Sequence, residues 1–555
     1  MTPREESWRE KAWSRSITGE FDLVVVGGGI TGAGIFRDAA ARGIRVALVE
    51  QGDFASGTSS KSSKLVHGGL RYLENFEFGL VHESTTERTR LERLAAHLVR
   101  PLPFLMPVWK GSKHPLWFLD LGLYVYDALR WFRGDPIHRR LPAKDLVREA
   151  PGIRTDRLAG GLRYYDAVTD DTRLTLENVL DAVALGGIAL SRVRAVGSRF
   201  QGNRVEALEV EDLLEPGRKG VLRTRAVIVA AGPWTEATDA ALGVRDGPRL
   251  RPTKGIHLVF PRSRLPLEQA VVATTPQDGR VFFVIPWHDA TIVGTTDTDD
   301  PEDPARVVAT TADVEYLMTA LKHHFPELPL ETGDILGTWA GLRPLLREEG
   351  VSASKVSREH SIHVDPRGIV TIAGGKLTTY RLMARECLEA ARGFLPSPLP
   401  PWAVADRPLF YRGAITDDQS RQEEILRLQR LHRLEPAVAR HLVHAYGGLA
   451  EEVLALASED PSLANPLAPP WPMLEAEVVW AVRREMALTL EDVLTRRNLL
   501  FYLAGPSLET PARRAAQRMA VELGWDPDRT EREVTDLLDL QARHLAGVRG
   551  TASPA

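Results

Sequence analysis

Apolar positions in this chain fall into two kinds of run. Short unbroken runs closed by glycine predict fully buried strands: Leu23 to Val26 before Gly27, Arg45 to Glu50, Arg225 to Trp234 with its Gly232-Pro turn, and Gly368 to Gly375. Apolar residues three apart predict helices, as at Ile425, Leu428 and Leu431, with Tyr446-Gly-Gly448 as a helix stop. A helical stretch ending near Gly43 links the first two strands into a βαβ unit. A mostly helical, aromatic-rich section is expected from Tyr72 to about Arg140, then alternating strand and helix to about Leu395. The Pro-rich stretch Pro396 to Pro408 reads as a linker, and Asp417 to Leu545 as a separate helical domain. No internal repeat interrupts this order.

At 555 residues the chain exceeds one core, so two or three domains are expected. A hydrophobic fraction of 43% with 26% charged residues is that of an ordinary globular protein rather than a disordered one. The net charge of −4 argues against a diffuse basic surface for nucleic acid, so no nucleic-acid partner is expected. Cys387 is the only cysteine, which excludes a disulfide framework and a thiolate metal cluster and fits a reducing compartment; no metal site is expected. Met1 to Glu20 is charged and does not resemble a secretory signal. No apolar run approaches the roughly 20 residues of a spanning helix, so any membrane contact is expected to be peripheral.

The first unit carries the most informative chemistry. Gly27-x-Gly29-x-x-Gly32 follows a buried strand and opens a helix. Gly27 permits the tight turn, Gly29 lets backbone approach a pyrophosphate, and Gly32 lets the helix pack against the strand. The helix amino terminus offers unpaired N–H groups to that anion, and Glu50 at the end of the second strand is placed to accept hydrogen bonds from ribose hydroxyls. The alternative is a plain βαβ unit whose glycines only make a turn. Downstream, Gly52 to Tyr72 is a long Gly- and hydroxyl-rich segment suited to wrapping a polar ligand, or else a solvated loop.

Further motifs sharpen the picture: Ser59-Ser-Lys-Ser-Ser-Lys-Leu-Val-His-Gly-Gly-Leu-Arg-Tyr72, Lys254-Gly-Ile-His257, Ile285-Pro-Trp287 with Gly294-Thr-Thr-Asp297, Gly341-Leu-Arg-Pro344 and Gly374-Gly-Lys-Leu-Thr-Thr-Tyr-Arg381. Together they resemble the FAD-dependent glycerol-3-phosphate dehydrogenases over nearly the whole chain. The resemblance implies an α/β fold: a Rossmann-like FAD-binding domain of the D-amino-acid-oxidase-like group, interleaved with a β-sheet-based substrate domain, plus a C-terminal all-helical domain. The implied boundaries are residues 17–400 for the first two, with FAD segments near 17–100, 145–235 and 345–400 and substrate segments near 101–144 and 236–344, and 409–548 for the helical domain. It also implies noncovalent FAD, oxidation of sn-glycerol 3-phosphate to dihydroxyacetone phosphate, electrons leaving for a membrane quinone, and a homodimer.

Oxidising a secondary alcohol through a flavin requires a proton acceptor, cationic clamps on the phosphate and stabilisation of charge on the reduced ring. The family pattern points to His257 as proton acceptor; the alternative is a hydrogen-bonded strand histidine, and His67, in the flavin-wrapping segment, is the competing candidate. Arg343 in its Gly-Leu-Arg-Pro turn, Arg358 and Arg71 correspond to phosphate-side positions, where guanidinium forks suit a dianion; any one of them taken alone could be a surface ion pair. Lys376, with the Gly374-Gly375 turn and Thr378 or Thr379, is placed at a helix amino terminus facing the flavin, although the threonines could simply cap that helix. Cofactor contacts are expected at Gly27, Gly29, Gly32, Glu50, Ser59, Ser60, Ser63, Lys64, His67, Gly232, Gly375, Lys376, Leu377 and Thr378; substrate contacts at Arg71, Arg343, Arg358, His257 and Lys376; and the catalytic set is His257, Arg343 and Lys376.

One region bears on the membrane. Arg100 to Arg140 holds seven Lys or Arg against three Asp, with Trp109, Trp117, Phe118, Tyr124, Tyr126, Trp131 and Phe132. That composition suits the headgroup layer, and the resemblance implies attachment at the cytoplasmic face; an amphipathic helix packed on the protein's own core is the other reading. Rival functions are a glycerol-3-phosphate oxidase passing electrons to oxygen, an amine or amino-acid oxidase of the same fold, and a catalytically dead flavin-bound scaffold.

Overall fold

Four consecutive apolar residues with no polar alternation leave a strand no face for water, and Leu23–Val26 is buried along its whole length. In the computed structural model, which describes residues 8–70, 77–129, 136–300, 302–347 and 359–551, this strand is central to a six-stranded sheet. The order is His360–Asp365, Ile369–Gly374, Val227–Val229, Leu23–Val26, Val46–Glu50, Ile188–Ser191. All neighbours are parallel except the edge strand His360–Asp365. Helices Ile30–Ala41, Asp171–Ala184 and Tyr380–Ala390 pack together on one face, burying Phe36, Val179 and Cys387 among others. Each such large apolar side chain contributes about 1.5–3 kcal/mol on burial. The other face is covered by a four-stranded sheet of Glu20–Phe21, Lys219–Thr224, Arg204–Asp212 and Val193–Gln201.

A second large sheet of ten strands, eight along its main path and two paired off it, holds Leu250–Pro261 with Gly337–Leu346 and Ala290–Gly294 on either side. It continues through Val281–Trp287, Ala270–Thr274, Arg100–Trp109 and Leu158–Val168 to Leu65–Val66. Two expectations change here. Arg100–Trp109 is a strand, not part of a helical section, because Pro101, Pro103 and Pro107 block a helix and side chains alternate between buried and half-buried along part of it; helix Leu116–Leu129 follows. Leu158–Val168, placed in the cofactor segment 145–235, pairs along its length with Arg100–Trp109 and so belongs to this second sheet.

The helical part begins with Asp418–His432 and Pro436–Tyr446, closed by Gly447. Ile425 and Leu428 are buried as their spacing predicts, whereas Leu431 is exposed. The proline-rich stretch before it is a clamp rather than a loose tether: its carbonyls accept hydrogen bonds from buried arginines, Pro400 from Arg42, Arg407 and Pro408 from Arg37, and Val404 from Arg381. Nor is the helical part detached. Its residues from Leu490 to Leu508 share a hydrophobic core with the ten-stranded sheet, and Arg496 and Arg497 both bind the buried Asp53 of the cofactor domain.

Candidate active site

Between the two large sheets lies a cavity of about 310 Å³ whose wall includes Gly27 and Gly29 at one place and His257 and Arg343 at another. Packing dictates two of the fingerprint glycines. Gly27 has φ +111°, and a Cβ there would lie 2.4 Å from the Ala230 carbonyl oxygen; a Cβ on Gly32 would lie 1.9 Å from that of Gly27. Gly29 is different, since a Cβ there would meet only Ser59 Oγ, at 3.1 Å. It faces the cavity, where helix Ile30–Ala41 begins without a side-chain cap of its own. Ser59 Oγ instead accepts a hydrogen bond from the Ile30 N–H at 2.8 Å. Glu50 also lines the cavity, and its two oxygens accept from the Gly28 and Gly52 N–H groups at 2.6 Å each. Burial raises its pKa, and those two hydrogen bonds oppose the rise.

The hydroxyl-rich segment divides its side chains between cavity and core. Ser59, Ser63 and His67 line the cavity, as do Gly232, Gly375, Leu377 and Thr378. Thr378 Oγ1 accepts from the His67 N–H at 3.3 Å, tying the two loops together. Ser60 and Lys64 depart from the expected cofactor contacts. Ser60 Oγ bonds to the Gly57 carbonyl, and Lys64, with φ +59°, turns its ammonium inward onto Asp171 Oδ1 at 2.6 Å and the Ser60 carbonyl at 2.7 Å. The lysine on the cavity wall is Lys61. Burial pulls its pKa down, as does Arg496, against the pull of Glu491. These lysines are three positions apart in a loop of no regular period, so only the backbone turn distinguishes them.

His257 sits on strand Leu250–Pro261, and Arg343 on its partner strand Gly337–Leu346 rather than in a turn. The Gly341 and Pro344 that read as turn residues are strand positions paired with Gly255 and Pro252. Glycine there serves close packing: a Cβ on Gly255 would lie 2.4 Å from Arg343 Nη2, and one on Gly294 would lie 2.2 Å from His257 Cδ2. His257 Nε2 is 2.8 Å from Ser63 Oγ, while its buried Nδ1 has no hydrogen-bond partner among the described residues. The ring stacks on Trp339, with centroids 5.1 Å apart. Burial, then the nearby Arg343 and Lys64 cations, push its pKa well below the usual histidine value. Arg343 donates to Asp297 Oδ1 at 3.1 Å and to Thr295 Oγ1 at 3.0 Å, which fixes the guanidinium plane at the cavity wall. Lys376 lines the same cavity beside Gly374 and Gly375, both at positive φ. Arg71 and Arg358 lie outside the described residues.

The wall therefore suits a dinucleotide: a glycine turn open to the cavity, a helix amino terminus, a carboxylate closing the next strand, and a reactive end where His257, Ser63, Arg343 and Lys376 share one space. Sequence reasoning missed Lys61, Trp339, Asp297 and Asp171. Asp297 and Trp339 each lie within or next to a quoted motif but act through neighbours across strands, which no local spacing reveals. Among the described residues no group of His, Cys, Asp or Glu is arranged to hold a metal ion.

Comparison with known proteins bears on this arrangement. Residues 22–381 match the family model "FAD dependent oxidoreductase", and residues 409–530 match "C-terminal domain of alpha-glycerophosphate oxidase". The chain is 40% identical over 554 residues to glycerol-3-phosphate dehydrogenase 2 of Mycobacterium tuberculosis, covering 98% of this chain and 92% of that protein. It is 35% identical over 492 residues to the aerobic glycerol-3-phosphate dehydrogenase of Staphylococcus saprophyticus, covering 87% of each. Among solved structures, the glycerol-3-phosphate dehydrogenase of Bacillus halodurans complexed with FAD superposes with a TM-score of 0.79 at 30% identity, covering 96% of this chain and 97% of that one.

Proposed function

The chain belongs to the FAD-dependent glycerol-3-phosphate dehydrogenases, and from that premise we propose that it oxidises the secondary alcohol of sn-glycerol 3-phosphate to dihydroxyacetone phosphate and hands the electrons to a membrane quinone. The observation that carries this reading is the single cavity joining the glycine turn to the His257–Ser63 pair and the Arg343 guanidinium. FAD, when bound, supplies the two-electron acceptor for the carbinol hydride. Gly27 to Ile30 would hold its pyrophosphate and Glu50 its ribose, with Ser59, Ser63, His67 and Thr378 lining the wall around it.

The remaining steps belong to the protein's own groups. Arg343, its plane fixed by Asp297 and Thr295, binds the phosphate dianion, with Lys376 as a second cation and Arg71 and Arg358 as further ones. His257 is kept neutral by burial and by neighbouring cations, so Nε2 is available to take the hydroxyl proton, directly or through Ser63 Oγ at 2.8 Å. The Trp339 ring beneath the imidazole fixes its plane and keeps water off that face.

Peripheral attachment at the cytoplasmic face rests on helix Leu116–Leu129, where Trp117 is 62% exposed, Leu121 57% and Tyr124 52%. Lys110 and Lys113 precede it, and this is the arrangement of an interfacial helix. Among the described residues no helix is long and apolar enough to cross a membrane. Trp131 and Phe132 lie outside the described residues. The family's dimer is carried over as part of the proposal.

Anaerobic addition of glycerol 3-phosphate should bleach the flavin absorbance of the purified protein, with glycerol and D-alanine inert; an unchanged spectrum with the phosphate ester refutes the assignment. Transfer to oxygen is the alternative, favoured by the oxidase named in the C-terminal match. Stoichiometric peroxide instead of quinone reduction would establish it. Flotation with anionic liposomes at low salt tests the membrane proposal, and failure to float rejects it.

A further inference from the structure

A second cavity, of about 40 Å³, shares no lining residue with the first. It opens where the ten-stranded sheet, the cofactor domain and the helical part meet. Arg100 comes from the sheet, Asp170 and Arg173 from the start of helix Asp171–Ala184, and His444 and Asn498 from the helical part, with the exposed His288 also on its wall. With about 10–15 Å³ needed per water, it holds roughly three water-sized positions, too few for a sugar phosphate.

The wall holds strong cationic donors, and two more buried atoms on it, Thr169 Oγ1 and His97 Nδ1, have no hydrogen-bond partner among the described residues. Arg173 and Arg497 are neutralised by Glu485 and Asp53. Arg100 is not: among the described residues no carboxylate lies within ion-pair distance of it, and its one hydrogen-bond partner there is His444 Nδ1, at 3.2 Å. A guanidinium only donates, so Nδ1 must accept and the proton of His444 sits on Nε2, making that atom a donor as well. Asn498 Oδ1 accepts from the Leu500 N–H, which leaves its buried Nδ2 without an acceptor among the described residues. Among the described residues the one carboxylate on the wall is Asp170, which caps its helix by accepting from the Arg173 N–H at 2.9 Å.

The electrostatics agree. Burial is the first cause lowering the pKa of His444, followed by the Arg100 and Arg421 guanidiniums. Arg100 itself is held down to about 10 by burial, and Arg440 adds to this against Asp170. Buried donors in a positive field favour an acceptor of negative charge over a neutral one.

We propose that this cavity is a binding site for a small inorganic anion, a halide or an oxyanion of similar size, coordinated by Arg100, His444 Nε2 and Asn498 Nδ2. An anion there bridges strand, cofactor helix and helical part, and so stabilises their docking. The test uses the FAD-loaded, full-length protein. Crystals soaked in bromide should show an anomalous peak within hydrogen-bond distance of Arg100. In solution, replacing gluconate by chloride at constant ionic strength should raise the thermal midpoint by about 1–3 °C. Arg100→Met should abolish that response, and so should Asn498→Asp, whose carboxylate supplies the missing acceptor from within. A cavity holding only water in the soaked crystals overturns the proposal, as does the same chloride response in wild type and both variants. If Arg100→Met does not fold, Asn498→Asp decides the matter.

Discussion

His257 is an imidazole whose neutrality is imposed by its surroundings, and that has a kinetic signature. An unburied histidine would switch off proton acceptance as pH falls through about 6.5. Here burial and the Arg343 and Lys64 charges displace the titration well to the acid side. kcat/KM should therefore run flat from pH 7.5 to below 6.5 and fall only at lower pH; an inflection near 6.5 would contradict this. The imidazole also depends on a missing methyl group. Gly294→Ala places a Cβ 2.2 Å from His257 Cδ2, so the ring must swing out of its stack, and kcat should fall at least about tenfold while the flavin stays bound. Arg343→Ala removes a charge-assisted contact of about 1.5–3 kcal/mol, raising KM for glycerol 3-phosphate about 10–100-fold. The flavin-to-protein absorbance ratio should not change, since flavin loss would make the residue's role structural. At this scale much was legible in sequence: His257, Arg343 and Lys376 stand inside motifs whose residue types match the chemistry. Lys61 and Lys64 were not distinguishable, because a single positive φ at Lys64 sends one lysine to the cavity and the other to Asp171.

Among elements, the legible ones were those whose burial is complete. Leu23–Val26 is apolar throughout and Ile369–Gly374 is apolar but for Thr371, and each is closed by glycine, so only one environment suits them. Arg100–Trp109 was not legible as a strand, since aromatic and basic residues obscure its alternation and the sheet that pairs it is distant in sequence. The helical part hides a connection of the same kind. Tyr502 packs on Trp339, with ring centroids 5.3 Å apart, and Trp339 stacks on His257 at 5.1 Å. A residue from the last eighth of the chain thus braces the plane beneath the imidazole. Tyr502→Ala should lower kcat about tenfold with KM little changed, and Tyr502→Phe should restore it, because the ring rather than the hydroxyl makes the contact. Equal loss in both variants would point instead to the hydroxyl.

For the whole molecule, the terminal helix Pro527–Arg549 is joined to the ten-stranded sheet by a buried polar seam. His544 Nδ1 pairs with the Thr338 carbonyl at 3.0 Å, and Thr338 Oγ1 donates to the His544 carbonyl at 2.7 Å. Burial lowers the His544 pKa to about 4. A histidine depressed in the native state contributes stability that is whole above its unfolded pKa of about 6.5 and is lost as pH falls towards the native value. His544→Asn keeps a donor but cannot titrate, so between pH 7 and pH 5 it should lose less stability than wild type, by on the order of 2 kcal/mol. Urea midpoints at the two pH values check this; parallel losses would show that His544 is not the group responsible.

The grip of Arg496 and Arg497 on Asp53 spans 443 and 444 residues of chain. A nascent polypeptide exposes its glycine fingerprint first, and at about 5–20 residues per second the ribosome needs roughly 20–90 s more to deliver those arginines. Until then Asp53, three residues beyond Glu50, lacks the two guanidiniums that bind it in the finished protein. A prematurely terminated copy carries the whole fingerprint and still lacks the two guanidiniums that fasten the loop beyond it.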